Sequence, residues 1–171
     1  KIVKIIEEFN SLITTETKEE VFQKFIEKNL LLLSKYHAKN IYIKPNILGK
    51  FKSDFAILDS SNCLKLIELE NPHVKLFKKN REQSQKLTHA YYQVVDWLDE
   101  YSKNHDAFLE CFNLVRNQIT LVNGVIIMGY SRNEDYNCLQ RHYSNPPYKD
   151  IELTTFDELS NSVLEISKKL A

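Results

Sequence analysis

Asp54–Glu70, DFAILDSSNCLKLIELE, is the stretch about which the rest of the chain is arranged. Ser60, Ser61 and Asn62 are turn formers between flanks rich in Ile, Leu and Phe, which predicts a β-hairpin. Side chains alternate along a strand, so Leu64, Leu66, Glu68 and Glu70 share one face. Two acids therefore finish a face that begins as aliphatic core. With Asp54 on the partner strand pointing the same way, three carboxylates converge. Unit charges about 4 Å apart at an effective dielectric near 20 repel by roughly 4 kcal/mol. Such a cluster holds a proton, recruits a basic side chain or binds a cation. Mg²⁺ or Mn²⁺, hard ions with oxygen ligands, is the functional reading. The bland alternative is a solvated sheet face near an edge. Leu64 and Leu66 weigh against it, because charged residues are rarely buried unless paired.

A chain of 171 residues, 43% of them hydrophobic, suits one globular domain with a sizeable core. Three Gly and four Pro argue against disorder or repeats. Basic and acidic residues balance at 23 each, so any nucleic-acid partner must meet a local patch and not a global field. Cys63, Cys111 and Cys138 have no zinc-type spacing and read as reduced intracellular thiols, which points to the cytoplasm. No apolar run of membrane length and no signal peptide is present, so no membrane partner is expected. The chain opens at Lys1 directly in a helical pattern, as expected of a piece of a longer protein.

Ile2, Val3, Ile5, Ile6, Phe9 and Ile13 make an amphipathic first helix ending near Thr14. Thr17 with Glu20 is a capping-box signature for a second helix with an inner face of Phe22, Phe25, Ile26, Asn29 and Leu33. On the helical wheel Glu19 borders that face and Glu20 points away. Glu19 is thus either a fourth acid near the hairpin or an ordinary surface glutamate. Lys39–Lys44 reads as a strand. After Glu70 comes a basic segment with Lys75, Lys78, Lys79, Arg81 and Lys86, either a solvated loop or a phosphate-contacting rim. Ser84–Lys103 is the longest helix, with Leu87, Tyr91, Val94, Leu98 and Tyr101 as its stripe and Gln93 aligned with Ala90 and Trp97 on the border. A short helix is expected at Asp106–Val115, then a buried strand at Ile119–Tyr130 bent at Gly124 and Gly129. A helix around Glu134–Arg141, a strand at Ile151–Thr154 and a last helix opened by a Thr155–Glu158 capping box complete the order. That order predicts a single α/β domain with a mixed sheet flanked by helices.

Other chemistries lack their residues. The glycines, Gly49, Gly124 and Gly129, are too dispersed for a phosphate loop, and no Gly-x-Ser-x-Gly or His-Glu-x-x-His occurs.

A helix bearing an acid, then Asp, then Glu-x-Glu on a strand, then a long helix with Gln resembles the PD-(D/E)xK nuclease superfamily. The chain is more closely similar to the Shedu-type nuclease domain of bacterial anti-phage defence proteins. The resemblance rests on FQKFIEKNLLLL (22–33), GKFKSDFAILD (49–59), LIELENPHVKLF (66–77), HAYYQVVDW (89–97), VIIMGYSR (125–132) and IELTTFDEL (151–159). It implies a restriction-endonuclease-like fold, hydrolysis of DNA phosphodiesters with Mg²⁺ or Mn²⁺, and a homo-oligomer in the full-length protein. Asp54 and Glu68 would be the metal-binding acids with the Leu69 carbonyl, Glu19 the first-helix acid, and Gln93 the helix residue leaning over the site. Lys75, Lys78, Lys79 and Arg81 would hold the DNA backbone. Glu70 stands where the superfamily most often has Lys. A carboxylate cannot donate a hydrogen bond to the phosphate, but it can position or deprotonate the attacking water. The competing expectation is a catalytically degenerate module that binds DNA or protein and mediates assembly.

Overall fold

The computed structural model describes residues 1–169. Its strands are β1 (Ala38–Ile43), β2 (Asn46–Ile47), β3 (Phe51–Lys52), β4 (Phe55–Asp59), β5 (Cys63–Leu69), β6 (Leu121–Ile127) and β7 (Ile151–Thr154). Its helices are α1 (Ile2–Thr15), α2 (Glu19–Lys28), α3 (Gln85–Lys103), α4 (His105–Glu110), α5 (Tyr136–Ser144) and α6 (Phe156–Lys169). The expected hairpin is β4–β5. Asp59 closes it, its Oδ1 accepting from the Ser61 and Cys63 amides at 2.9 Å each, while Asn62 turns the chain at φ 65°.

Five strands form one sheet in the order β1-β4-β5-β6-β7. β1, β4 and β5 run antiparallel, and β5, β6 and β7 run parallel. Parallel neighbours need a crossover, which α3 supplies between β5 and β6 and α5 between β6 and β7. Strand alternation divides the core in two. Ala56, Leu58, Leu64 and Leu66 pack under Leu87, Tyr91, Val94 and Trp97 of α3. Phe55, Ile57, Ile67 and Leu69 pack on the other face against Phe9, Phe22, Ile26 and Phe156. The result is an α/β/α sandwich with a mixed sheet, consistent with a restriction-endonuclease-like fold. No helix among the described residues is long and apolar enough to cross a membrane.

Several local expectations are corrected. Thr17 does not cap α2: the Glu16 carboxylate takes the Thr17 and Lys18 amides at 2.8 and 3.0 Å, and Lys18 is the N-cap residue. The second helix stops at Lys28, and Leu30–Tyr36 continues as a 3₁₀ helix that keeps Leu32, Leu33 and Tyr36 buried. The helix expected up to Val115 ends at Glu110. At Thr155 only half of the box forms: Glu158 Oε2 accepts the Thr155 amide at 3.0 Å, while Thr155 Oγ1 is buried without a partner. Gly124 marks a close approach and not a bend. A Cβ there would stand 2.1 Å from Val94 Cγ1, so the missing side chain is what lets α3 lie on the sheet. Gly129 does turn the chain, at φ +77°.

Candidate functional site

The sheet brings its acids to the carboxyl end of β5. Glu68 follows Leu64 and Leu66 on the α3 face and is buried, at 8% exposure. Asp54 sits just before β4. Its amide donates to the Ile67 carbonyl at 3.0 Å although Phe55 is the register partner of Ile67, so two successive residues meet one, as at a β-bulge. Bulges re-aim side chains, and here Asp54 Oδ2 accepts the Leu69 amide at 2.8 Å. The Asp54 carboxylate is thereby pinned to the end of β5, beside Glu68. Glu70 extends the parallel pairing, its amide donating to Ile127 O at 2.8 Å.

Electrostatics ties these groups together. Burial pushes Glu68 up to about 9, with the charges of Asp54, Glu70 and Glu19 adding to it, while the Gln93 side chain beside it favours the anion. Burial also lifts Asp54 to about 6, against the Leu69 amide and Lys44, which favour its charged form. Glu70 is raised by desolvation, with Lys86 and His89 opposing. Glu19, at the start of α2, is raised by desolvation and then by Glu70 and Asp54. Glu20 is turned away and pairs with Lys24 at 2.6 Å. Thus Asp54, Glu68, Glu70, Glu19 and Gln93 share one neighbourhood. Among the described residues, no three His, Cys, Asp or Glu side chains are gathered closely enough to hold an ion by themselves.

The basic segment lies at the same end but does not enter the acids. Lys75 donates to the Asn133 carbonyl, and Lys78 pairs with Glu82 at 3.6 Å. Lys79 and Arg81 are exposed. Lys75 does not stand in for the missing Lys beside Glu70: its ammonium ties the loop to the segment before α5. The cations that do act on the acids are Lys86, on the first turn of α3, and Lys44, which also lies 3.7 Å from Glu27 Oε1.

Sequence reasoning missed a polar line on α2. Glu19, Gln23 and Glu27 recur every fourth residue; Gln23 is buried with an unpartnered Nε2, and Glu27 contributes to the rise at Asp54. The signal was there, as polar residues at helical spacing on a face otherwise made by Phe22 and Ile26. The sequence profile of the family described as Shedu protein SduA, C-terminal, matches residues 16–160, most of the chain.

The chain belongs to this family.

The Shedu match takes in the whole acid-bearing region, from Glu19 to Gln93, and the crossover strands behind it. No curated protein matches this Shedu-family chain.

Proposed function

We propose that this domain is a metal-dependent DNA endonuclease acting in anti-phage defence. Shedu membership suggests the defence role. The observation that carries the chemistry is the gathering of Asp54, pinned by the Leu69 amide, buried Glu68, Glu70 and Glu19 about the carboxyl end of β5, where open α/β sheets bind ligands and where these acids raise one another's pKa values. The PD-(D/E)xK resemblance gives these positions their roles.

The residues fit a Mg²⁺ or Mn²⁺ ion. Mg²⁺ is typically bound through one or two carboxylates and keeps several waters, so Asp54 and Glu68 with the Leu69 carbonyl suffice without a closed cage. When bound, the ion supplies positive charge to the scissile phosphate and acidifies a water. Asp54, held by the Leu69 amide, and Glu68, flanked by Gln93, present the ligand oxygens. Glu70 orients the attacking water or takes its proton, and a raised carboxylate pKa is what a base near neutral pH needs. Glu19 completes the acidic wall. Lys78, Lys79 and Arg81 contact the backbone without reading sequence.

The test is incubation of the domain with linear, nicked and single-stranded DNA, with and without Mn²⁺. Cleavage requires Mn²⁺ and disappears in Glu68→Ala, whose melting temperature stays near that of the parent, and in Asp54→Ala, which melts lower because the Leu69 amide loses its acceptor. Undiminished cutting by both variants removes the assignment. A second reading, a degenerate module that binds DNA or protein, is favoured by Glu70 in the Lys position and by the loose gathering of the acids. Millimolar Mn²⁺ separates the two: binding to the native state alone raises the melting temperature of a competent site and leaves a degenerate one unmoved.

A further inference from the structure

The first two turns of α3 carry a second set of side chains past the acids and into solvent. Ala90 and Trp97 are buried under the helix, and Lys86 and Gln93 lie one row further out, on the side of Glu70 and Glu68. His89 follows, and beyond it Tyr92 stands 57% exposed. Its neighbour Tyr91 is, by contrast, buried against His142 and Tyr148. Gln85, Lys86, Thr88, His89 and Tyr92 border a hollow of about 530 Å³ that has no acidic side chain on its rim. Long helical side chains lean toward the N-terminus, so the Tyr92 ring leans over Thr88 and His89, with Lys86 on the same hollow's rim.

We propose that this face of α3 binds an unstacked, single-stranded stretch of nucleic acid beside the acids, with Lys86 on its phosphate and Tyr92 on the face of a base. The inference rests on the nuclease reading and names the form of substrate that the site takes. Lys86 stands in the first turn of α3 on the rim of the same hollow as Tyr92, so one strand lying in that hollow meets both. Any base offers a π-face to an aromatic ring once it is unstacked, whereas in a duplex its neighbours cover that face. The spacing of an exposed ring from a phosphate-binding ammonium by under two helical turns suits one or two nucleotides. A duplex would meet Lys86 but leave Tyr92 without a partner.

The experiment is fluorescence anisotropy with a labelled short oligonucleotide, single-stranded or folded as a blunt hairpin duplex. It uses Glu68→Gln protein in EDTA, so that binding is read without cleavage. Tyr92→Ala weakens single-strand binding by roughly ten- to a hundred-fold, the range of one base–aromatic stack. Tyr92→Phe restores it, and neither change alters duplex binding. Lys86→Ala weakens both forms. Equal single-strand affinity in Tyr92→Ala, an equal loss on duplex, a failure of Tyr92→Phe to restore binding, or no DNA binding at all would each overturn the proposal. Single-strand binding that depends on Tyr92 in a domain that never cuts with Mn²⁺ would keep it while removing the nuclease reading.

Discussion

Glu68 reaches its position by alternation behind Leu64 and Leu66, and the Asp54 carboxylate is fixed beside it by the Leu69 amide. In the folded chain Asp54 keeps its proton up to about pH 6 and Glu68 up to about pH 9, whereas unfolded carboxyls release theirs near the ordinary value of about 4. Between those limits the native state binds more protons than the unfolded one. These two residues therefore make the metal-free domain less stable as pH rises. Glu20 and Glu100, held below the ordinary range by Lys24 and Lys50, act in the opposite sense. Comparison with Glu68→Gln isolates the effect. In EDTA, raising the pH from about 5 to about 8 lowers the urea midpoint of the parent more than that of Glu68→Gln. Parallel midpoints in the two proteins would refute the linkage.

Helix α3 is the element that converts a sheet with acids into a site. Its Ser84 cap, whose Oγ accepts the Leu87 amide at 3.1 Å, starts it beside the basic loop, and Gly124 lets it sit low on β6. Gln93 neighbours Val94, the residue that touches Gly124, so the depth of the helix sets the reach of Gln93 to Glu68. Gly124→Ala forces a methyl into Val94 and destabilises the fold by about 1–3 kcal/mol, the usual cost of overpacking. Addition of Val94→Ala recovers part of that loss in urea denaturation. If Gly124→Ala alone matches the parent, the close approach does not hold α3 down.

At the scale of the molecule a zero net charge leaves the proposed DNA contact to a local patch, for which the basic loop is the candidate. The Lys75–Arg81 loop and the first turn of α3 border the acid end of the sheet, tied together by the Ser84 amide donating to Leu76 O at 2.8 Å. Each phosphate neutralised contributes about 0.9 to the salt slope on duplex DNA. Replacing Lys78, Lys79 and Arg81 by Ala lowers duplex affinity alike for all sequences and flattens that slope by up to about 3 units. An unchanged slope in a titration of affinity against NaCl would place the DNA elsewhere. Lys75 is left out because its ammonium holds the Asn133 carbonyl, and its loss would disturb the loop.

The hairpin, the long helix, the closing strand at Ile151–Thr154 and the two-sided core were legible in the sequence, because alternation and helical spacing of apolar residues are local properties of the chain. Helix ends were less so: the capping residue at α2 is Lys18, with Glu16 serving its amides, and Leu30–Tyr36, the segment that leads into β1, is 3₁₀. The neighbourhood of Asp54, Glu68, Glu70 and Glu19 depends on three separate elements. Spacing named the first three and left the fourth open between site and surface. Only the tertiary structure set Lys44 against Asp54 and took Lys75 away, because charges on different elements meet through packing distances that no one-dimensional period encodes. By itself, then, the sequence determined which faces are apolar and which residues are able to ionise. Their pKa values and their partners were decided by burial, by neighbouring charges and by the Leu69 amide on Asp54, which exist only once the layers have closed.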